Sequence, residues 1–444
     1  MDAAGRIKSV SQSSAASPPG EAPARPHRGN GRLAAARDGA SGLLRPAARQ
    51  ETLRESNLSL VTEAIFGAVE PPSRATIAAL TGMTRSTASR LVDDLLAAGI
   101  VREGEPVFAG SRGRPAVPLL PARGTLAGLG VEIDIGFMAA RVLDLTGDTL
   151  AEEVLEGDFR DSDPADVLPR AGAMARRVAA HAAAQGASLV GTCIGLPGLI
   201  DPHADRLLVA PNLGWRDVDV AGLMGDTPGE FVVIANEAKL AALTVARDLA
   251  ASEGQEQSFI YVSAHMGIGA AVVIDGLVSA GPRGWAGEIG HMCVEPTGPR
   301  CGCGATGCLE VFAGKRALRA ALELDSMSPV SDVLERSEQA DADGERAREA
   351  LQRAASALGI ALSDAVNLLD VDQIILGGEF APLTQLLRPG IEAQLRERVL
   401  ASEFGQQRVR AASGDGVPAA GGGALRALRT VISNPMHWVP EAMA

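Results

Sequence analysis

The sequence predicts an α/β protein that carries a small helical unit near its N-terminus. Beyond about residue 125, short apolar runs that end in glycine or polar residues alternate with Ala/Leu-rich helical stretches, which is typical of sheets covered by helices. Aromatic residues make up only 3% of the chain, which favours closely packed α/β layers over an aromatic-rich sandwich. No apolar run reaches about 18 residues without a charge, so we expect no membrane span.

Residues 1–50 predict a disordered basic arm, because they are rich in Ala, Arg, Ser, Pro and Gly and hold almost no large apolar residues. The arm is either an inert tail or a contributor to DNA contact. The net charge of residues 1–50 is +5, and that of residues 51–125 is zero. The acidic remainder brings the net charge of the whole chain to −13. Such a distribution is compatible with DNA binding through the N-terminal end alone. The N-terminus lacks the apolar segment of a secretory signal, so we expect a cytoplasmic protein.

Three helices are predicted between residues 57 and 98. Asn57 is the expected N-cap of the first helix, and Pro71-Pro72 is its expected stop. The expected buried face of that helix consists of Leu60, Val61, Ala64, Ile65 and Ala68. Ser73 and Thr84 are the expected N-caps of the second and third helices, which should end at Gly82 and Gly99.

The pair formed by the second and third helices has the pattern of a helix-turn-helix, whose second helix enters the major groove. The apolar face of the third helix leaves a small polar face exposed near its N-terminus. The residues predicted to contact bases and phosphates there are Arg85, Ser86, Thr87, Ser89 and Arg90. The alternative is a generic three-helix bundle or a protein-docking domain.

A wing is predicted after the third helix. Ile100-Val101 and Val107-Phe108 are its expected strands, and "GSRGRP" at 110–115 follows them. Arg112 and Arg114 lie on slim backbone next to Gly and Pro, which suits insertion into a narrow minor groove. A solvated loop is the alternative.

Four of the five cysteines lie in "HMCVEPTGPRCGCGATGC", residues 291–308. In a reducing compartment, metal ligation is favoured over disulfides. His291, Cys301, Cys303 and Cys308 form the Cys₃His set of a structural zinc site, and the glycines between the cysteines let the loop curl. Spacing does not exclude Cys293 as a ligand. A buried or redox thiol cluster is the alternative.

At this point the sequence resembles the ROK family (repressor, open reading frame, kinase). The resemblance covers roughly residues 125–430. The motifs that carry it are "GEIGHMCVEPTGPRCGCGATGCLEVFAG", "IGLPGLID", "APNLGWRDVDVAGLM", "IANEAKLAAL", "GIGAAVVIDG" and "IILGGEF". It implies an actin-like, hexokinase-like body of two α/β lobes. A winged helix in front of such a body resembles the regulator branch. The expected domains are the arm at 1–50, a winged helix-turn-helix at 51–123 and the ROK body at 124–435.

The resemblance also implies two sites. Zinc would be held by His291, Cys301, Cys303 and Cys308. A sugar would be bound by Asn236, Glu237, Glu288, His291 and Glu310. Several fixed acceptors suit a polyhydroxylated ligand, and a loop held by a metal would keep them in place.

The nucleotide motifs of the family are altered in this chain. Glu237 replaces the Asp that serves as base in the kinases. "DIGFMAA" keeps Asp134 and Gly136 of the first phosphate loop, but bulky residues follow them. "HMGIG" at 265–269 lacks the first Gly and the Thr of the second loop, and only "LGG" at 376–378 is intact.

These departures predict a body that binds sugar without phosphorylating it and has no catalytic residues. Together with the winged helix, they predict a sugar-responsive transcriptional repressor that binds operator DNA as a homodimer or homotetramer. The alternatives are an ATP-dependent ROK sugar kinase and a sugar-binding scaffold with an unrelated docking domain. Whether the effector is a free sugar or a sugar phosphate stays open.

Overall fold

A computed structural model describes residues 50–106, 116–201, 204–254, 257–414 and 416–440. The predicted arm lies outside this range, apart from Gln50. Within the described part of the chain, no helix is both long and apolar enough to cross a bilayer. The boundaries predicted for the three domains stay predictions.

The N-terminal unit, from α1 to β2, consists of three helices and a two-stranded sheet. Its elements are α1 (Gln50–Phe66), α2 (Arg74–Thr81), α3 (Arg85–Ala97), β1 (Val101–Glu103) and β2 (Leu119–Pro121). Ser73 caps α2 by accepting from the Thr76 N–H, and Gly82 ends that helix in the left-handed conformation. Thr84 caps α3 in the same way. These two predicted caps are confirmed.

The first helix differs from its prediction. Asn57 lies inside α1, which begins at Gln50, so it is not an N-cap. Leu60, predicted on the buried face, is 43% exposed, and Leu58 is buried instead. An ion pair between Arg54 and the buried Asp94 of α3 joins the extra N-terminal turn of α1 to the helical unit.

A two-stranded sheet follows the third helix. β1 pairs antiparallel with β2, with Glu103 opposite Leu119 and Val101 opposite Pro121. Val107-Phe108, the other strand predicted for the wing, lies outside the described residues and stays a prediction. Arg112 and Arg114 also lie outside the described residues, in the part of the chain between the two paired strands.

The first lobe contains a five-stranded sheet with the order β10-β6-β3-β4-β5. Strands β3 to β5 form an antiparallel meander, and β6 and β10 add parallel strands beside β3. A small antiparallel sheet, β7-β8-β9, is inserted after β6. The elements are β3 (Leu126–Ile133), β4 (Phe137–Asp144), β5 (Thr149–Glu156), α4 (Pro164–Ala184), β6 (Ser188–Leu196), β7 (Leu199–Asp201), β8 (Arg206–Ala210), β9 (Trp215–Val218), α5 (Val220–Met224), β10 (Val232–Asn236) and α6 (Glu237–Glu253).

The second lobe repeats this plan with the order β13-β12-β11-β14-β15. Again, three antiparallel strands are followed by two parallel ones. Asp275 and Gly276 form the hairpin turn between β12 and β13, and both residues have positive φ. The elements are β11 (Phe259–Ala264), β12 (Ile268–Ile274), β13 (Leu277–Ser279), α7 (Glu310–Ala313), α8 (Lys315–Ala321), α9 (Val330–Glu338), α10 (Ala342–Leu369), β14 (Gln373–Gly378), α11 (Phe380–Arg398) and β15 (Arg408–Ala411).

The chain then returns to the first lobe through α12 (Pro418–Ser433). Together with α6, this helix contributes to an apolar cluster that joins the two sheets and contains the buried Cys193. The fold therefore confirms the expected body of two α/β lobes behind a helix-turn-helix unit.

Candidate functional site

The N-terminal end of α3 presents the residues predicted to contact DNA on one surface. Arg85, Ser86 and Arg90 are exposed, whereas Thr87 and Ser89 are half-buried. The capping hydroxyl of Thr84 lies 3.0 Å from the Ser86 hydroxyl and 2.9 Å from the Thr87 hydroxyl. The hydroxyls of Ser86 and Thr87 are therefore held near the helix end, whereas Arg85 and Arg90 are longer side chains that are exposed to solvent.

The second feature is a cluster of four potential metal ligands, His291, Cys301, Cys303 and Cys308. One ligand atom from each lies within 4.8 Å of all the others. The Cys303 and Cys308 sulfurs are 3.7 Å apart, and the Cys301 sulfur is 3.8 Å from His291 Nδ1. A disulfide needs about 2.05 Å, whereas two sulfurs on a tetrahedral Zn²⁺ with bonds of about 2.3 Å lie about 3.8 Å apart. The donor set therefore fits one tetrahedral metal ion.

The loop that carries this cluster has a defined backbone. The Cys301 N–H donates to Ala305 at 2.8 Å, and Cys293 and Cys308 pair as an isolated antiparallel bridge. Gly307 has a φ of 73°, and a Cβ there would lie 1.7 Å from the Glu295 carbonyl oxygen, so only glycine fits. Cys293 is exposed and is not part of the cluster of four.

The third feature is a cavity of about 820 Å³ in the cleft between the two lobes. Its walls include all five residues predicted to bind sugar: Asn236, Glu237, Glu288, His291 and Glu310. Cys303 also lines it, so the metal cluster forms part of the wall. A cavity of this size with several converging polar groups is typical of a small-molecule site. We call it the cleft cavity.

Local structure determines how much of each side chain faces the cleft cavity. Asn236 caps α6 by accepting from the Ala238 and Lys239 N–H groups, and its amide donates to Gly198 at 3.2 Å. One oxygen of Glu310 accepts from the Ile268 N–H at 3.3 Å. By contrast, Glu237 Oε2 is buried and has no hydrogen-bond partner among the described residues. Glu237 therefore offers a hydrogen-bonding group that no described residue engages.

A cross-lobe ion pair was not anticipated from the sequence. His265 Nδ1, just after β11 of the second lobe, lies 2.7 Å from Asp134 Oδ2, just after β3 of the first. Both residues line the cleft cavity. The β11–β14 register places Ala264 beside Gly378, so His265 also adjoins the "LGG" segment. A Cβ on Gly378 would lie 3.2 Å from His265 Nε2. The imidazole therefore fills the space where the two altered phosphate loops meet.

The charges around this pair perturb one another. Burial favours the neutral ring of His265, but Asp134 outweighs it, with help from Glu237 and Glu132, and raises the pKa of His265 to about 10. The same pairing outweighs burial at Asp134 and lowers the pKa of that carboxyl. Burial, with nearby Asp134 and Glu132, raises the pKa of Glu237 to about 8. At neutral pH the imidazolium is therefore charged and the Glu237 carboxyl is mostly protonated.

Replacing His265 by Asn should destabilise the protein by about 3 kcal/mol near pH 6.5, because it leaves Asp134 unpaired. The folded-state pKa of His265 exceeds its unfolded value of about 6.5, so its stabilising effect is complete below that pH and is lost as pH rises through about 10. Melting temperatures of wild type and variant should therefore converge towards pH 10. The exposed His181 provides a matched His→Asn control, and a gap that stays constant with pH would contradict the assignment.

The part of the cleft next to the altered phosphate loops is narrow, and its charged side chains pair with one another. A cavity of about 150 Å³ lies there, lined by Phe137, Lys315 and Glu379 among others. Glu379, directly after "LGG", pairs with Lys315 at 2.8 Å and with the buried Arg319 at 2.6 Å. Lys315 and Arg319, two cations that could neutralise phosphates there, are thus already paired with the carboxylate of Glu379.

Besides the residues already named, three more polar residues line the cleft cavity and were not predicted to do so: Asp161, Asn212 and Arg316. Asn212 lies within the motif "APNLGWRDVDVAGLM", which was noted but given no ligand role. A Cβ added at Gly267 would lie 2.6 Å from Glu310 and 3.5 Å from the Asn212 amide, so this glycine permits their approach. Asp161 and Arg316 carry no motif that could have identified them.

Comparisons with known proteins agree with this architecture. The ROK family model matches residues 129–428, and the IclR helix-turn-helix model matches 64–105. The chain is 28% identical to the xylose repressor of Bacillus subtilis over 334 residues, 74% of this chain and 84% of that protein. It is 27% identical to the N-acetylglucosamine repressor of Escherichia coli O157:H7 over 343 residues, with coverages of 74% and 82%.

Solved structures show the same fold. The crystal structure of a ROK family transcriptional regulator, a homologue of the E. coli MLC protein, matches 87% of this chain and 99% of its own with a TM-score of 0.71 and 24% identity. The ROK hexokinase from Thermus thermophilus matches 69% of this chain and 99% of its own with a TM-score of 0.56 and 26% identity. The regulator matches a larger share of this chain than the hexokinase does, so its match extends beyond the two lobes. Because the family model spans more than half of the sequence, the chain belongs to the ROK family.

Proposed function

We propose that this protein is a sugar-responsive transcriptional regulator, most simply a repressor, whose helix-turn-helix unit binds operator DNA and whose cleft cavity binds the effector. One observation carries the proposal: a helix with exposed Arg85 and Arg90 is joined to a two-lobed body whose cleft is lined by Glu237, Glu288 and Glu310. The relatives named above, which are repressors by name, support it.

The cleft cavity suits a polyhydroxylated ligand, because carboxyl groups and an amide can each hydrogen-bond to a hydroxyl. We assign sugar contacts to Asn236, Glu237, Glu288, His291 and Glu310, and we add Asn212 as a further candidate. His291 would contact the sugar through the ring nitrogen that is not directed at Cys301.

The alternative of a sugar kinase is less well supported. The His265–Asp134 pair fills the junction of the two phosphate loops, and Glu379 binds the nearby cations. Phosphoryl transfer depends on accurate positioning of the nucleotide, which this arrangement opposes. Turnover of ATP with any hexose would restore the kinase hypothesis.

We further propose that His291, Cys301, Cys303 and Cys308 hold a structural Zn²⁺. Four protein ligands leave no open position for a catalytic water, so the ion would hold the wall of the cleft cavity in place. Reduced thiols accord with a cytoplasmic location. A homodimer or homotetramer would place two recognition helices on a palindromic operator.

The test is a gel shift with the upstream DNA of the chain's own gene, at several salt concentrations and with a panel of sugars. Specific binding should weaken steeply with salt, and the effector should release the DNA. Changing Arg90 to Ala should lower operator affinity by about 5- to 150-fold, equivalent to about 1–3 kcal/mol, and leave sugar affinity unchanged. Arg353→Ala, on the exposed face of α10, is the matched control. Unchanged operator binding by the Arg90 variant would refute the recognition surface.

A further inference from the structure

We infer that Glu132 is a positioning residue that links the cleft cavity to the DNA-binding unit through α12. This inference rests on the proposed function, because it requires both a sugar effector and operator binding. Glu132 does not line the cleft cavity, and no motif marked it as functional. Its carboxyl group is hydrogen-bonded to the first turn of α12, and the other end of α12 packs against the DNA-binding unit.

Glu132 lies near the end of β3 with 1% exposure. Its Oε2 accepts a hydrogen bond from the Ala420 N–H, in the first turn of α12, at 2.9 Å. A buried carboxylate at a helix N-terminus interacts favourably with the helix dipole. Burial raises the pKa of Glu132 to about 7, the charge of His265 favours its ionised form, and Asp134 disfavours it. Both of these neighbours line the cleft cavity. Glu132 thus touches α12 on one side and is coupled electrostatically to the cleft on the other.

The opposite end of α12 packs against the DNA-binding unit. Leu58, Val61 and Ile65 of α1 belong to the same apolar cluster as Leu428 and Val431 of α12. The Ser59 hydroxyl also donates to the Ser433 carbonyl at 3.0 Å. The helix that carries the recognition surface shares this cluster through Leu91, Val92 and Leu95.

Between its ends, α12 lies directly on the backbone of the first lobe. A Cβ at Gly130 would lie 1.8 Å from the Ala420 carbonyl oxygen, and one at Gly422 would lie 1.7 Å from the Leu240 carbonyl oxygen. Leu240 belongs to α6, the helix that begins at Glu237. Because such contacts have no flexible side chains to absorb a shift, a displacement of β3 or α6 must move α12 as a unit.

These contacts assign a sequence of physical events. A sugar that contacts Glu237 and Glu310 binds groups on both lobes, so it changes the relative position of His265 and Asp134. This movement changes the electrostatic potential at Glu132, and so the strength of its hydrogen bond to the Ala420 N–H in the first turn of α12. A shift of α12 is then transmitted to α1 and to the orientation of α3.

The experiment measures operator affinity with and without saturating D-xylose or N-acetyl-D-glucosamine in wild type, Glu132→Gln and Glu132→Met. In wild type we expect the effective sugar to weaken operator binding about 5- to 150-fold, the usual range of coupling. Glu132→Met has similar length but no acceptor, so the change should fall below about threefold. Its affinities for sugar alone and DNA alone should stay near wild type. Glu132→Gln keeps an acceptor for Ala420 and should retain most of the response.

A second measurement covers the case in which Glu132→Met does not fold. In wild-type protein, the effective sugar should change amide hydrogen exchange in α12 and α1 but not in α9, which lies in the second lobe. A Met variant with the full wild-type response overturns the inference, as does release of DNA without altered exchange in α12. If no sugar of the panel changes operator affinity in wild type, the proposed function fails and the inference falls with it.

Discussion

Replacing Cys301 by Ser is expected to release the proposed metal ion and to collapse the wall of the cleft cavity. Cys301 is buried, its sulfur lies 3.8 Å from His291 Nδ1, and its backbone forms the turn to Ala305. Bound ion should fall from about one per chain to below about 0.2, and stability should fall by several kcal/mol, since structural zinc contributes directly to folding. Sugar affinity should fall by about 10-fold or more, because His291 and the adjoining loop lose their anchor.

Cys293→Ser is the matched control. Its sulfur is exposed and stands outside the cluster of four, so this variant should keep the metal, the melting temperature and the sugar affinity. Elemental analysis by mass spectrometry and thermal unfolding measure both variants. Loss of metal from Cys293→Ser would make it a fifth candidate ligand, and a fully loaded Cys301→Ser would refute the assigned ligand set.

Features encoded within a few residues could be predicted from the sequence. The caps at Ser73 and Thr84 depend on a hydroxyl and an N–H three residues later, so local sequence specifies them. The thiol cluster spans 18 residues, and the glycines between the cysteines already indicated the tight turns that now bring the sulfurs together. The five sugar-contact candidates came from family motifs, and the fold brings all of them to one cavity.

Features that depend on distant partners could not be predicted in this way. Helix α1 begins at Gln50, before the predicted start at Asn57. The additional N-terminal segment carries Arg54, whose ion-pair partner Asp94 lies 40 residues further along the chain. The pairing of β1 with Leu119–Pro121 was also not predicted, because nothing near Val101 specifies that partner. The His265–Asp134 pair joins loops of two lobes, and neither residue alone signals the other.

The protonation state of Glu237 leads to the second large effect. Burial, reinforced by Asp134 and Glu132, raises the pKa of Glu237 to about 8, and its buried Oε2 has no partner among the described residues. At pH 7 the side chain is therefore mostly a neutral acid that can donate a hydrogen bond to a sugar oxygen as well as accept one. This behaviour differs from that of an ionised carboxylate, which can only accept.

We therefore expect Glu237→Gln to bind the effector within about threefold of wild type at pH 7, because the amide also offers one donor and one acceptor. Glu237→Leu should lose about 5- to 150-fold, corresponding to about 1–3 kcal/mol for sugar groups left unpaired in a buried site. Because deprotonation removes the donor, wild-type affinity should decline as pH rises above about 8, whereas the Gln variant should not respond. Calorimetric titration at pH 7 and pH 9 measures these differences. Equal losses in the Gln and Leu variants at pH 7 would mean that the bound state requires an ionised carboxylate.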